Sequence, residues 1–352
     1  MPAMRILVAG PQFPDSFARN IGVTLERMGH EVATVQGTRM RHHGGKLPNL
    51  FWGYVPKAFP ALERRIFSDI IRTAEAVQPD LVLVTYGILP PEVVCDLKSV
   101  CGGKIVCWYT DSIMDPHRQY LVASSFDAIF LKEPFLVRGL RDKLGLNAFY
   151  LPECCNPAWH KHLELSDDER MKYGCDLAAQ GSLHYYRARM LEIFEEYDLK
   201  IWGRNRPAWL KSPIKGRYTN CYVAELEKAK ALLSAKIVLN TVHYSEIEGV
   251  NCTLFEAAGC GAFQLADWKP ALPDLFEPER EIVTFRTRRE LKEKVDYYLG
   301  HPDERQAIAD RAYARAHREH TYEKRLQKMF EILGFAPETA APEAEALKLQ
   351  TC

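Results

Sequence analysis

The sequence lacks any imbalance of charge: among its 352 residues, Lys plus Arg number 46 and Asp plus Glu also number 46. A neutral chain has no bulk electrostatic attraction to nucleic acid or to an anionic membrane, so we expect neither as a partner. No apolar run approaches the roughly 20 residues that cross a bilayer, and we expect no transmembrane segment. The start, MPAMRILVAG, runs straight into a predicted strand without the layout of a signal peptide, which predicts a cytoplasmic protein.

Two common binding patterns are missing as well. The ten cysteines include no Cys-x-x-Cys pair, so we expect reduced thiols that pack as small apolar groups, with no metal site and no disulfide framework. Gly10 follows the first predicted strand, where its backbone can approach a donor or an acceptor substrate. The full Gly-x-Gly-x-x-Gly fingerprint is absent there, which argues against an NAD-dependent dehydrogenase.

The chain does contain two successive alternations of strands and helices. The predicted strands of the first half are 5–9, 31–35, 81–85, 105–109, 128–131 and 148–151. Those of the second half are 176–180, 200–202, 237–241, 262–266 and 282–285. Strands separated by helices predict parallel pairing with right-handed crossovers, and therefore two α/β domains, each a doubly wound parallel sheet.

The predicted domains are 1–158 and 159–335, joined within the irregular, polar segment 152–168. A last helix at 321–333 is free to pack back on the first domain, and the Ala-, Glu- and Pro-rich tail 336–352 is predicted to be disordered. In open α/β sheets a ligand lies beyond the carboxyl ends of the strands. With two such domains, we expect the site in the cleft between them.

The most informative segment is 236–267, which predicts a buried strand, a polar loop, a short helix and another strand. Its loop carries Glu248 and its helix carries Glu256, eight positions later. The first N–H groups of a helix lack internal partners and favour an anion. A nucleotide sugar has both groups that such a site would bind. Its phosphates would accept from the backbone N–H groups, and its sugar hydroxyls would donate to the carboxylates.

Residues 248–261, EGVNCTLFEAAGCG, resemble the E-x7-E motif of retaining GT-B-fold glycosyltransferases. The spacing Phe-Glu-Ala-x-x-Cys-Gly within it is more similar still to the spore-maturation (CgeB-like) enzymes of glycosyltransferase group 1. Gln180-Gly181-Ser182, followed by Tyr186-Arg187, matches the start of that family's second domain. The resemblance covers about residues 178–333, and it covers the first half at the level of fold only.

The resemblance implies a GT-B fold, with two Rossmann-like domains that face each other across a cleft. It implies a hexosyltransferase-type enzyme that moves a sugar from a nucleotide-sugar donor, with a UDP-sugar favoured, to a hydroxyl acceptor in glycan biosynthesis. That acceptor would be a saccharide, a protein or a small molecule. No tightly bound cofactor and no catalytic metal are expected. Two alternatives stay open: a non-catalytic nucleotide-sugar-binding protein, and a nucleotide-sugar epimerase of the same fold.

The resemblance assigns Glu256 to the ribose hydroxyls of the donor, whereas an ordinary buried ion pair is the alternative. Glu248 is expected to contact the donor sugar or else to be a solvated loop charge, and Glu246 could take its place. By the same analogy Arg187 neutralises the donor diphosphate, since a guanidinium matches phosphate oxygens, or else it is a surface helix residue. Arg204 and Arg206 are alternatives for that role.

Further donor-binding positions follow from their places in loops and at a helix start. Gly203 is expected to let its loop approach the nucleotide base, and the helix N-terminus is expected to bind phosphate. These positions are Gly181, Ser182, Gly203, Asn251, Cys252 and Thr253.

Two candidates for catalysis lie after a buried strand of the first half. Asp111 ends the predicted strand 105–109, where a carboxylate faces the cleft. It would be the general base of an inverting enzyme or would position the sugar in a retaining one, and a helix N-cap is the alternative. His117 lies in the same loop and is the second candidate. The basic and aromatic segment 39–54 is a candidate acceptor surface or simply an exposed loop.

Overall fold

The computed structural model describes residues 2–36, 64–86, 89–111, 120–204, 208 and 210–335. His117, Arg206, the segment 39–54 and the tail 336–352 lie outside the described residues.

The first sheet has six parallel strands in the order β2-β1-β3-β4-β5-β6. The strands are β1 (Arg5–Ala9), β2 (Glu31–Val35), β3 (Leu81–Val84), β4 (Lys104–Tyr109), β5 (Ala128–Leu131) and β6 (Ala148–Tyr150). The helices that connect them are α1 (Phe17–Arg27), α2 (Ser68–Val77), α3 (Pro91–Val100), α4 (Tyr120–Ala123) and α5 (Pro134–Leu144). The strands β3 and β5 are buried along their whole length, as expected for a sheet covered on both faces.

The second sheet has five parallel strands in the order β11-β10-β9-β7-β8. The strands are β7 (Cys175–Gln180), β8 (Leu199–Trp202), β9 (Ala235–Asn240), β10 (Gln264–Asp267) and β11 (Val283–Phe285). Its helices are α6 (Asp167–Tyr173), α7 (Tyr185–Leu191), α8 (Glu225–Leu233), α9 (Cys252–Cys260), α10 (Leu272–Leu275), α11 (Arg288–Leu299) and α12 (Pro302–Glu319). Short 3-10 turns occur at Glu192–Phe194 and Pro213–Arg217.

The last helix, α13 (Tyr322–Ile332), leaves the second sheet and packs on the first. Leu326, Met329 and Phe330 are buried in one core with Ile6 of β1 and Leu25 of α1. The two segments that cross between the sheets are hydrogen-bonded to each other. Cys155 N donates to His320 O (2.9 Å), and Tyr322 N donates to Cys155 O (3.1 Å). The two crossover segments are therefore paired with each other where the chain passes between the sheets.

The predicted fold class, two doubly wound parallel sheets in a GT-B arrangement, is confirmed. Every predicted strand boundary agrees with the structure to within two residues. Thr85 and Thr241 lie outside the strands that were expected to include them, because the ladders end at Val84 and Asn240. Helix α7 ends at Leu191 and is followed directly by the 3-10 turn Glu192–Phe194. The proposed domain boundary at 158 stays a prediction.

Candidate functional site

The candidate site lies at the carboxyl ends of β7, β8 and β9, where the second domain faces the first. The loop that follows each strand carries polar side chains, and the neighbouring strands bring these loops together. The order β9-β7-β8 puts the loop after β7 in the middle. Arg187, in α7, lies there.

Arg187 links the ends of β7 and β9 through hydrogen bonds to both. Its Nη1 donates to Gln180 O (2.8 Å) and to Ser182 O (2.9 Å). Its Nε donates to Thr241 Oγ1 and its Nη2 to Thr241 O, both over 3.1 Å. All of these acceptors are neutral, and burial lowers the pKa of the guanidinium. A positive charge is thus held at the strand ends by neutral groups, an arrangement that an anion would complement.

The glycines beside Arg187 allow the backbone to pass closely. Gly181 has a φ of +96°, which favours glycine, and a Cβ there would lie 2.9 Å from Arg187 Nη1. At Gly203 a Cβ would lie 2.7 Å from Gly181 O. The guanidinium of Arg204 lies 4.5 Å from the ring centroid of Tyr222, within cation–π range. Gly181 follows β7, and Gly203 and Arg204 follow the neighbouring strand β8, so the three residues lie at adjacent carboxyl ends of the second sheet.

The start of α9 is held in place by hydrogen bonds from side-chain amides. Asn251 caps the helix, with Oδ1 accepting from Leu254 N (3.3 Å), while its Nδ2 donates to Asn240 Oδ1 (2.8 Å). Thr253 Oγ1 accepts from Gln180 Nε2 over 3.0 Å. Cys252 is the first residue of the helix, and burial raises the pKa of its thiol. The helix N-terminus is therefore held against the end of β7.

Glu256 belongs to a buried charge cluster that joins the two domains. Its Oε1 lies 2.8 Å from Lys228 Nζ, and its Oε2 accepts from Gln180 Nε2 over 2.8 Å. Lys228 is also ion-paired with Asp15, from the loop after β1. Burial disfavours all three charges, yet the carboxylates raise the pKa of Lys228, and Lys228 helps to lower that of Glu256. The buried ion pair named as the alternative for Glu256 is thus present.

His160 lies beside this cluster. Asp15, His160 and Glu256 each offer one metal-ligand atom, all within 4.8 Å of one another. His160 is buried, its Nδ1 accepts from Asn156 N (2.9 Å), and its Nε2 has no hydrogen-bond partner among the described residues. Burial lowers its pKa to about 3. The Lys228 ammonium already gives the two carboxylates a cationic partner, so the donor set fits an ion-pair cluster better than a metal site.

Glu248 binds the first domain. Its carboxylate makes a bidentate pair with Arg138 of α5, at 2.9 Å and 2.6 Å. Contact with a donor sugar would require this carboxylate to leave Arg138 or to share it, and that role stays a prediction. Glu246, the suggested substitute, is buried and lies 3.0 Å from Lys132 Nζ. Both acidic side chains of the loop therefore face cations of the first domain.

Glu133 is a residue of the interface that the sequence analysis missed. Its buried carboxylate caps α5 and accepts from three backbone N–H groups of the second domain, those of Ile247, Glu248 and Gly249. The three distances to the nearer oxygen are 2.9, 3.0 and 3.0 Å. A single carboxylate thus binds the loop before α9 to the first domain.

Glu153 is a second missed residue, located after β6, where the chain crosses to the second sheet. It is buried 3.4 Å from Lys132 Nζ. Burial raises its pKa to about 7, and Asp111 adds to the effect while Lys132 opposes it. Asp111 itself is exposed after β4, on the same side as Glu153. A carboxyl group whose pKa is raised to about 7 therefore lies within electrostatic reach of the predicted catalytic aspartate.

Gly10 has a packing role in this structure. Its N–H donates to Val35 O (3.0 Å), and an added Cβ would lie 1.9 Å from Thr85 Oγ1. The close approach it makes is therefore to Thr85, just after β3 of its own domain, and contact with a substrate stays a prediction.

A comparison with protein families matches residues 186–331 to the family described as glycosyl transferase-like. Spore protein CgeB of Bacillus subtilis is 23% identical over 266 residues, which cover 70% of this chain and 80% of that protein. The predicted resemblance to GT-B glycosyltransferases, and to the CgeB-like group, is confirmed by these matches.

Solved structures agree with the fold over nearly the whole chain. Sucrose-phosphate synthase from Thermosynechococcus elongatus superposes with a TM-score of 0.68 at 13% identity, over 94% of this chain and 98% of that one. HepE from Anabaena, solved in complex with UDP-glucose, gives a TM-score of 0.64 at 12% identity, over 95% and 100%. At such identities the likeness shows the GT-B fold alone. Within the described ranges, no helix combines the length and the apolarity that a membrane span needs.

Proposed function

We propose that this chain, with its GT-B fold and its glycosyl transferase-like second domain, transfers a sugar from a nucleotide-sugar donor to a hydroxyl acceptor. The observation that carries the proposal is the Arg187 guanidinium, held at the strand ends by neutral acceptors. A diphosphate is the anion that a nucleotide sugar would bring to it. HepE is a GT-B protein seen with UDP-glucose, which supports a UDP-sugar as donor.

The donor would lie across the carboxyl ends of the strands of the second sheet. The base would approach Gly203 and Arg204 after β8, and the diphosphate would lie at Arg187 and the start of α9, near Asn251, Cys252 and Thr253. Glu256 would accept from the ribose hydroxyls. An ionised carboxylate has about four lone-pair sites, so its bonds to Lys228 and Gln180 leave it further capacity as an acceptor.

The chemistry needs one bond to form and one to break. The acceptor oxygen bonds to the anomeric carbon, the bond from that carbon to the diphosphate oxygen breaks, and the nucleoside diphosphate leaves. Arg187 and the helix N-terminus would stabilise the charge on the leaving diphosphate, so no metal is required. If the reaction inverts, Asp111 takes the acceptor proton; if it retains, Asp111 positions the sugar and the acceptor proton passes to the departing diphosphate oxygen. Closure of the two domains would exclude water from the reacting groups.

A thermal-shift screen tests the proposal, with UDP-, GDP-, dTDP- and CMP-sugars, each with and without Mg²⁺. We expect a saturating rise in Tm with one nucleotide class, equal in EDTA and in Mg²⁺. Mass spectrometry of the same mixture with an acceptor panel should then show a glycosylated product and the free nucleoside diphosphate. No shift with any nucleotide, or an altered sugar without any acceptor consumed, would overturn transfer as the function.

A further inference from the structure

Four rings form an exposed cluster beside Arg187, at the ends of β7 and β9. Tyr186 and Tyr244 lie on the outside, with ring centroids 5.9 Å apart. His184 and His243 lie 4.6 Å apart, edge to face, and Tyr244 is 4.3 Å from His243. We call these four residues the aromatic platform. Tyr244 is 69% exposed and Tyr186 is 37% exposed, so the outer face of the platform is open to a ligand.

The platform is joined to the proposed diphosphate position. Tyr186 is the residue before Arg187 in α7, and His243 lies two residues after Thr241, which accepts two hydrogen bonds from Arg187. Since the strand order is β9-β7-β8, the platform lies on the β9 side of Arg187 and the Gly203 loop lies on the β8 side. A donor with its base at Gly203 therefore has its sugar directed towards the platform.

Both histidines of the platform are neutral at pH 7. Burial lowers the pKa of His184 to about 4 and also lowers that of His243. The Nδ1 of His184 accepts from Arg187 N, and the Nδ1 of His243 accepts from Ser245 N. The neutral ring of His184 consequently carries its proton on Nε2, as a hydrogen-bond donor. His243 does the same in the tautomer whose Nδ1 also accepts from Ser245 Oγ, 2.7 Å away. Neutral donors beside tyrosine rings match hydroxyl groups and apolar C–H faces better than they match a second phosphate.

We propose that the aromatic platform is a subsite for the pyranose ring of a saccharide. The planes of Tyr186 and Tyr244 are inclined by 58°, so the apolar face of the pyranose stacks on one ring and its edge contacts the other. The pyranose hydroxyls accept from the histidine N–H groups. This subsite rests on the proposed binding of the diphosphate to Arg187. Its occupant is then either the sugar of the donor or the sugar of the acceptor. Both present the same pyranose chemistry.

Two binding measurements on the full chain test the subsite. Calorimetry compares UDP-glucose with UDP, and an array of immobilised hexopyranose oligosaccharides is probed in the presence of UDP. For Tyr244→Ala and Tyr186→Ala we expect about a tenfold weaker affinity for the saccharide, the order of one lost aromatic contact, with UDP affinity unchanged. Tyr244→Phe and Tyr186→Phe keep the ring and should bind as the wild type does. Tyr297→Ala, at an exposed tyrosine of α11, is the remote control.

The two binding measurements show whether the pyranose belongs to the donor or to the acceptor. A loss confined to UDP-glucose assigns the platform to the donor sugar, and a loss confined to the array assigns it to the acceptor. Wild-type protein that binds no array saccharide, and that binds UDP-glucose no better than UDP, overturns the subsite, as does equal binding by the Ala variants. Saccharide binding that depends on the tyrosines, in a protein that binds no nucleotide sugar, would overturn the proposed function and leave the subsite standing.

Discussion

Lys228 and Glu256 form an ion pair inside the protein, with 2.8 Å between Nζ and Oε1, and Lys228 also binds Asp15 of the first domain. The pair holds the helix with the predicted ribose-binding glutamate against the loop after β1. The position of Glu256 is therefore linked to the contact between the two domains.

Replacing Lys228 with Met should destabilise the protein strongly. Two buried carboxylates would lose their cationic partner, which costs about 3–5 kcal/mol of unfolding free energy when one member of a buried pair is removed. Urea denaturation at pH 7 measures the change. Lys236→Met, which breaks an exposed pair with Asp176, is the matched control and should cost less than about 1 kcal/mol. Equal losses in the two variants would contradict a buried cluster.

Glu133→Ala should free the loop before α9. The backbone N–H groups of Ile247, Glu248 and Gly249 would lose their acceptor. The cost is about 1–3 kcal/mol for a buried group that stays unsatisfied, which here is Gly249 N–H. We expect faster amide hydrogen exchange at residues 247–249, with Glu133→Gln intermediate because one oxygen remains. Glu26→Ala, at an exposed position of α1, should leave exchange in the loop unchanged. Unaltered exchange in Glu133→Ala would show that the carboxylate does not hold the loop.

Stability should fall as the pH drops below about 6.5. Burial lowers the pKa of His160 to about 3 and those of His184 and His320 to about 4, whereas each has an ordinary value of 6.5. The unfolded chain therefore binds protons between these values that the folded chain does not, and acid favours unfolding. His160→Asn keeps an acceptor near Asn156 N and removes the titration. Its unfolding free energy should fall less steeply between pH 6.5 and 4 than that of the wild type, and an identical slope would contradict a neutral His160.

Glu153 should act in the opposite direction. The pKa of Glu153 is raised to about 7 in the folded state, from its ordinary value of 4.5. Between pH 4.5 and pH 7 the folded state therefore holds a proton that the unfolded chain has released. Its contribution to stability is present below about pH 4.5 and is lost as the pH rises to about 7. Glu153→Gln is always neutral, so its stability relative to the wild type should increase from pH 5 to pH 8. A relative stability that is constant across this range, measured by urea denaturation, would contradict the raised pKa.

The sequence predicted the fold well because its signals are local. Continuous apolar segments such as Leu81–Val84, separated by amphipathic helices, determine the strands and their parallel pairing. The ends of β3 and β9 were missed by one residue. Thr241 suits a strand, but its hydroxyl and carbonyl accept from Arg187 instead of extending the strand.

The candidate site was predicted less completely, because its contacts join distant parts of the chain. Nothing near Glu256 in the sequence indicates Lys228, which belongs to another helix, or Asp15, which belongs to the other domain. Glu133 and Glu153 did carry a signal, since they follow the carboxyl ends of β5 and β6 and ligands gather at such ends. Applying that rule to every strand would have found both residues.

Calorimetric titration with UDP and with uridine, for the wild type and for Arg187→Gln, tests directly whether Arg187 binds the diphosphate of the donor. GDP with guanosine and dTDP with thymidine extend it to the other bases. We expect the wild type to bind one nucleoside diphosphate more tightly than its nucleoside. A folded Arg187→Gln protein should lose this preference while its nucleoside affinity is unchanged. A folded Arg187→Gln protein that keeps the full preference, or a wild type with no preference for any diphosphate, would contradict diphosphate binding by Arg187.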